Sequence, residues 1–263
     1  MSDNGNAPTS VRKNHGRNHS YYIDGAKVPG ITTALNKGFP KPALVDWAAG
    51  ATADYALDHW DELGELSPSK RHNELKRARF ETQDEAKLRG TLIHKYAHQL
   101  AAGEEILVPD EYRDHVDRYL DFVRDWEPRE LLVERPFFSR THRYAGTPDL
   151  VAELADGAVW MLDWKTGAKH GVYLEHVLQL AAARFAEYVV DDAGAEVPPP
   201  AVDRCGIVWL RADGYDLYPV EADARAFALF RMVLRVAEYI EAGLENVVGD
   251  ALLPPELELE GVG

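Results

Sequence analysis

Two aspartates and a lysine, Asp149, Asp163 and Lys165, lie in the segments Gly146-Thr147-Pro148-Asp149 and Asp163-Trp164-Lys165. Carboxylates brought together can hold a hard divalent cation, and an amine beside them can orient or deprotonate a water. That combination is the chemistry of phosphodiester hydrolysis. It requires the thirteen residues between Asp149 and Asp163 to fold back on themselves.

The residues argue for such a hairpin. Apolar, strand-compatible stretches at Ala145 to Leu154 and Ala158 to Lys165 flank Ala155-Asp156-Gly157. A three-residue hairpin loop favours a left-handed residue at its last position, which Gly157 can adopt without a Cβ clash. The register then pairs Leu154 with Ala158 and sets Asp149 opposite Asp163. Opposed residues share a face, as do residues two apart on one strand, so Asp149, Asp163 and Lys165 are predicted to share one. Leu150, Ala152, Leu154, Trp160, Leu162 and Trp164 fall on the other face and read as core. A loop one residue shorter would send Asp149 to the wrong side.

The chain that must position these groups has 263 residues, 46% of them hydrophobic, enough for a sizeable core. No apolar run reaches the length of a membrane span, and Met1 to Ser10 is too polar for a signal peptide, so no membrane partner is expected. Residues 1–20 read as a disordered arm with a mild positive charge from Arg12, Lys13 and Arg17. The single cysteine, Cys205, excludes an intrachain disulfide and a four-cysteine iron–sulfur cluster, and fits a reducing, cytoplasmic setting. A net charge of −15 argues against a protein that coats nucleic acid, but not against an enzyme touching a few phosphates. Charge is uneven: Lys70 to Arg89 holds seven Lys/Arg against four Asp/Glu, whereas Asp213 to the end holds eleven acids against three arginines.

The element pattern begins with a β-like piece at Tyr21 to Val28, turning at Asp24-Gly25. A helix capped by Thr32 or Thr33 follows. Further helices are expected over about Ala43 to Trp60, from Ser67-Pro68-Ser69 onward, and over about Asp84 to Ala102. Another starts at a cap on Asp110 and stops before Pro128. Strands are predicted at Leu131–Phe138, Tyr144–Leu154 and Ala158–Lys165, then a helix from about Tyr173 to Val190. A hairpin at Cys205–Arg211 and Tyr215–Val220 and a last helix at about Ala222 to Ala242 complete the set. The order predicts an α/β (α+β) fold with a central mixed sheet, flanked by helices and walled on one side by a helical N-terminal half. The corresponding divisions are residues 1–20, 21–128, 129–248 and an acidic tail at 249–263.

With Asp149, Asp163 and Lys165 in this order, the chain resembles the PD-(D/E)xK nuclease superfamily, within it the RecB-like exonucleases of phage, CRISPR-associated and mitochondrial genome-maintenance type. Arg89-Gly90-Thr91-Leu92-Ile93-His94 is similar to that branch's helix with a metal-binding histidine, and Val28-Pro29-Gly30-Ile31-Thr32-Thr33 to its Pro-Ser-Val-Thr entrance. Gln179 stands where the family carries a Gln-x-x-x-Tyr motif, although position 183 is alanine and Tyr188 comes later. The resemblance covers roughly residues 21–188 and implies a restriction-endonuclease-like core.

It further implies one or two Mg²⁺ or Mn²⁺ ions held by Asp149, Asp163, His94 and the carbonyl of Trp164, without an iron–sulfur cluster. His98 shares the face of His94 one turn on. Lys165 would act on the attacking water, its pKa lowered by the metal. Glu134, on the strand before Asp149, would hold a second metal or the water. Thr32, Arg89, Lys169 and Gln179 are the candidate DNA contacts. The implied partner is DNA with free ends, single-stranded or otherwise, with a recombination or annealing protein in a bacterial or phage-infected cell. A restriction-type endonuclease on the same core and a catalytically silent DNA-binding or scaffolding relative are the alternatives.

Overall fold

The computed structural model describes residues 10–16, 18–101, 103–166, 171–243 and 247–252, with the side chains of 81–87, 97, 98 and 101 left aside. The chain opens with three strands, β1 (Ser10–His15), β2 (Asn18–Ile23) and β3 (Ala26–Val28), which form a small antiparallel sheet in that order. Its second turn is the Asp24-Gly25 pair, both left-handed at φ 52° and 76°, the geometry of a two-residue hairpin loop.

Four helices follow: α1 (Ile31–Gly38), α2 (Pro42–Asp58), α3 (Trp60–Glu65) and α4 (Pro68–Ala101). After α5 (Asp110–Trp126) come strands β4 (Arg129–Val133), β5 (Phe137–Ser139), β6 (Tyr144–Gly146), β7 (Leu150–Glu153) and β8 (Val159–Thr166). Helix α6 (Leu174–Arg184), strands β9 (Tyr188–Val190), β10 (Glu196–Val197), β11 (Arg204–Leu210) and β12 (Tyr215–Val220), and helix α7 (Ala224–Ala242) complete the fold. The α/β architecture follows the expected plan: a mixed five-stranded sheet, β12-β11-β8-β7-β4, flanked by helices. Within it β11 runs parallel to β8, and α6 lies in the connection between them; the remaining pairs are antiparallel.

Both faces of this sheet are buried, so its central strands are nearly continuous apolar runs. Leu150, Ala152, Leu154, Trp160, Leu162 and Trp164 pack with Ile93 of α4 and with Val116, Tyr119 and Phe122 of α5. Val151, Met161, Ile207 and Trp209 pack with α1, α6 and α7 through Leu35, Leu178 and Phe230. The amphipathic stripe of α5, Val116, Tyr119 and Phe122, is core packing. No helix among the described residues is long and apolar enough to cross a membrane.

Several expectations are corrected. Residues from Ser10 on are not a disordered arm: β1 pairs with β2 along its whole length, and Ser10 is buried with its hydroxyl 2.8 Å from that of Tyr188. Its polar composition hid the pairing, because the ladder is made by backbone groups. Residues 1–9 and Arg17 lie outside the described residues.

The long strands predicted at 131–138 and 144–154 each split between two sheets. Glu134 turns left-handed at φ 44° just before Pro136, and Pro148 has no N–H for the ladder. The outer halves, β5 and β6, join β9 and β10 in a separate four-stranded sheet. The helix predicted to reach Val190 ends at Arg184, because Tyr188-Val189-Val190 pairs with Phe137 and Phe138 as β9. The two helices expected between Ser67 and Ala102 are one, since no proline and no glycine before Gly90 interrupts the run of helix formers after Pro68. Gly30 rather than Thr32 or Thr33 is the N-cap of α1, and Pro109 rather than Asp110 that of α5.

Candidate active site

The β7–β8 hairpin has the register its sequence predicts. Leu150 pairs with Leu162 and Glu153 with Val159, the Leu154 N–H donates to the Ala158 carbonyl at 3.1 Å, and Gly157 closes the loop at φ 76°. One step beyond the last ladder pair, Asp149 comes opposite Asp163. One step further, Pro148 comes opposite Trp164 and offers no N–H to its carbonyl. The Trp164 N–H donates instead to a carboxylate oxygen of Asp149 at 2.8 Å. The proline thus ends the ladder where the acids begin, and a side chain takes over from the backbone.

Asp163 is 2% exposed. One of its oxygens pairs with the Lys165 ammonium, and the other accepts from the Gln179 side-chain amide at 2.8 Å. Gln179 reaches it because α6 lies back across the sheet between the parallel strands β8 and β11. One turn earlier on α6, the buried His176 stands close enough to Lys165 and Asp163 to feel both charges. Burial outweighs the pull of Asp163 and pushes its imidazole down to about 4. His94 of α4 is in the same state: burial dominates, Asp163 pulls up, Lys165 pushes down, and the result is about 4. Both histidines are therefore neutral at physiological pH, the form that can ligate a cation.

Asp149 carries the opposite stress. Burial and the neighbouring Asp163 carboxylate push its pKa up to about 8, against the relief given by Lys165 and the Trp164 N–H. Two acids confined together favour keeping one proton unless a cation takes its place. For Lys165, burial alone would lower the pKa, but Asp163 and Asp149 more than compensate, and the ammonium is held above its ordinary range. That differs from the lowering expected beside a metal, and the cause is visible: in the protein alone, Lys165 is the cation the acids share.

Asp149 and Glu134 line two hollows that meet at the bend between the sheets. The small one, on the α4–α5 side, is also lined by His94, Tyr119 and Trp164. The larger, a cleft of about 400 Å³, is bordered by Gln179, by Thr32 and Thr33 of α1, and by Arg12 and His19 of the first hairpin. Glu134 owes its place to its left-handed backbone and to its N–H, which donates to the Asp149 carbonyl at 3.0 Å.

Of the sequence-predicted residues, Asp149, Asp163, Lys165, Gln179, His94, Glu134 and the Trp164 backbone converge here. Thr32 reaches the cleft but not the acids. Arg89 is exposed on α4, where its charge acts on Tyr112 and His115 of α5. Lys169 and the side chain of His98 lie outside the described residues. Sequence reading missed His176, whose signal was its place one turn before Gln179 on one helix face, and Arg12, hidden in what read as an arm.

The donor set tests whether a divalent cation fits. Two carboxylates in one buried spot, one of them forced to retain a proton, with a neutral imidazole near them, are chemically suited to a hard cation. Among the described residues no three His, Cys, Asp or Glu side chains are already assembled at ligating distance. Asp163 has one donor on each oxygen, Lys165 and Gln179, which leaves a lone pair on each for a cation.

No family model matches the chain, and no curated protein does. Among solved structures the chain is similar to one described as the crystal structure of SSO0001, with 11% identity over 59% of this chain and 71% of that one. The TM-score of 0.32 is too low for the likeness to bear on fold or activity.

Proposed function

We propose that the chain is a divalent-metal-dependent deoxyribonuclease that hydrolyses phosphodiester bonds from a free DNA end. The observation that carries this reading is the convergence of Asp149, Asp163 and Lys165 beside the cleft, with Asp149 pushed up to about 8 by burial and its neighbour. Asp149, Asp163, His94 and the Trp164 carbonyl would hold Mg²⁺ or Mn²⁺, with Glu134 beside them. Such a cation supplies neutralisation of the acids, a more acidic water and stabilisation of charge on the phosphate oxygens.

The chain's own groups do the rest. Lys165 Nζ, a protonated donor beside Asp163, would hydrogen-bond to a water and aim it at phosphorus. Gln179 keeps the Asp163 carboxylate oriented through its amide. Trp164 does the same for Asp149 through its backbone N–H, so that neither acid swings out of the cleft.

The test is hydrolysis of fluorescent linear and circular DNA, single- and double-stranded, in Mg²⁺, Mn²⁺ and EDTA. Lys165→Ala and Asp149→Asn are expected to lower turnover at least about a hundredfold, the scale of a lost acid–base or electrostatic group, with little change in fold. Cleavage by Lys165→Ala at the wild-type rate would remove the lysine from the mechanism. Cutting of circular DNA would favour the restriction-type endonuclease.

A second reading, a catalytically silent DNA-binding or scaffolding relative, has one observation in its favour. The acids are occupied by protein donors, and no ligand trio is preassembled among the described residues. DNA binding without hydrolysis in either metal would establish it.

A further inference from the structure

We propose that the β1–β2 hairpin carries a phosphate-binding subsite, built on Arg12, that seats a nucleic-acid strand in the cleft beside the acids. The inference rests on the nuclease reading and gives that site a second point of contact with its substrate.

The open end of the hairpin is tied down through both of its strands. Ser10 bonds to Tyr188 of β9, and the Tyr21 hydroxyl lies 2.9 Å from that of Thr147, two residues before Asp149. Arg12 is paired directly with Tyr21, so the two side chains leave the hairpin on one face, and Tyr21 is buried against the body of the protein. Arg12 accordingly borders the same cleft as Asp149, Glu134 and Gln179.

Arg12 is poorly served by the protein alone. Its Nε is buried without a hydrogen-bond partner, and among the described residues it forms no ion pair. Its charge falls instead on His19 and Tyr21, which gain nothing from it as partners. A buried N–H donor without an acceptor is costly, and an anion seated on the partly exposed guanidinium offsets that cost. The fork of N–H groups matches the oxygens of a phosphate, and the hydroxyls of Thr32, Thr33 and Thr147 border the same cleft with neutral donors.

One cleft is therefore bordered both by Asp149 and Glu134, which seek a cation, and by Arg12, which seeks an anion. With a divalent cation held at the acids, a ligand that meets both that cation and Arg12 would carry negative charge at two points, as consecutive phosphates of a nucleic-acid strand do. Arg12 is then a positioning residue: it fixes the strand so that the neighbouring phosphate lies at the acids.

The test uses the full chain with Arg12→Met, which keeps an unbranched apolar stem, and Arg12→Lys, which keeps the charge without the fork. Steady-state hydrolysis of a fluorescent single-stranded oligonucleotide in Mg²⁺ or Mn²⁺ is read alongside its anisotropy on binding in EDTA. For Arg12→Met, KM and Kd are expected to rise about tenfold, with the loss falling on KM rather than kcat. The slope of log Kd against log salt is expected to become shallower by about one phosphate's worth. Arg12→Lys should recover part of the affinity.

Unchanged KM, Kd and salt slope in Arg12→Met would overturn the subsite. So would a lowered melting temperature with unchanged Kd, which would make Arg12 a packing residue. If the wild-type protein binds the oligonucleotide but does not hydrolyse it, the nuclease reading fails, while the binding measurement still decides the role of Arg12.

Discussion

Asp149 sits where a carboxylate is costly: inside the protein, beside a second carboxylate, with one backbone N–H and a nearby ammonium in compensation. The energetic consequence can be read without any substrate. The folded protein keeps the Asp149 proton up to about 8, whereas an unfolded chain loses it in the ordinary carboxylate range. Stability therefore falls as pH rises between those limits, because the folded state binds the extra proton. His94 and His176 work the other way, since their folded pKa values of about 4 lie below the unfolded value of 6.5. Their effect is complete by about pH 6.5. The elevated Lys165 contributes stability that is fully present below the unfolded lysine value of 10.5, so it does not vary in this range. Between about pH 6.5 and 8, Asp149 is left as the group that titrates. Denaturation midpoints in EDTA are expected to fall across that window, by about 2 kcal/mol at most for one proton. Asp149→Asn should flatten the profile. A wild-type profile that is already flat, or the same slope in the variant, would show that Asp149 is ionised from the start. Saturating Mg²⁺ or Mn²⁺ is expected to raise the midpoint most at the alkaline end, where the acids have least to neutralise them.

At the scale of elements, the site depends on how β6 meets α1. A Cβ on Gly146 would come 2.2 Å from Cδ1 of Ile31, so glycine there lets the first turn of α1 close onto the strand. This contact sets the angle at which the chain enters Thr147-Pro148-Asp149. Gly146→Ala is expected to cost about 1–3 kcal/mol by overpacking and to lower DNA hydrolysis as the bend shifts. Ile31→Ala removes a buried core side chain as well as the clash, so the double variant is expected to lose less stability than the two single variants summed, and thermal melts of all three check the coupling.

The same region shows what the sequence made legible. The β7–β8 register followed from one loop glycine and the two-residue alternation, both local signals, and so did the common face of Asp149, Asp163 and Lys165. The division of two predicted strands between two sheets was not legible in that way. Pro136 and Pro148 were visible, but β5, which carries β6 on its other edge, pairs with β9 far along the chain, and long-range pairing leaves no mark in a local window. The β1–β2 hairpin was hidden for a related reason: its anchors, Tyr188 for Ser10 and Thr147 for Tyr21, are remote in sequence. Arg12 entered the cleft only once that hairpin was known.

Across the whole molecule, packing is unevenly distributed. The large sheet is sealed on both faces, whereas α2 has no buried residue and α3 has only Leu63. Leu44, Val45, Trp47, Leu57 and Trp60 are all exposed there. At 34 residues α4 extends about 50 Å, and Ile93, in its C-terminal part, belongs to the core. The excursion from α2 to the first half of α4 thus leaves and returns beside the site. Lys41, at its start, pairs with Glu175 of α6, and Gly90, near its end, approaches Thr166 at the end of β8. Few buried apolar contacts mean that such a segment opens without unfolding the sheet. Amides of α2 and α3 are expected to exchange with solvent at a far lower free energy than those of β8 and β11, which should approach global stability. Native-state hydrogen exchange read by peptide mass spectrometry checks this. Because Lys41 and Gly90 bring the excursion back beside the site, a bound oligonucleotide that lies between it and the cleft should slow exchange along α2 as well as around Asp149. Protection confined to the cleft would place the strand wholly on the sheet side and leave the exposed Trp47 and Trp60 without a role in binding it.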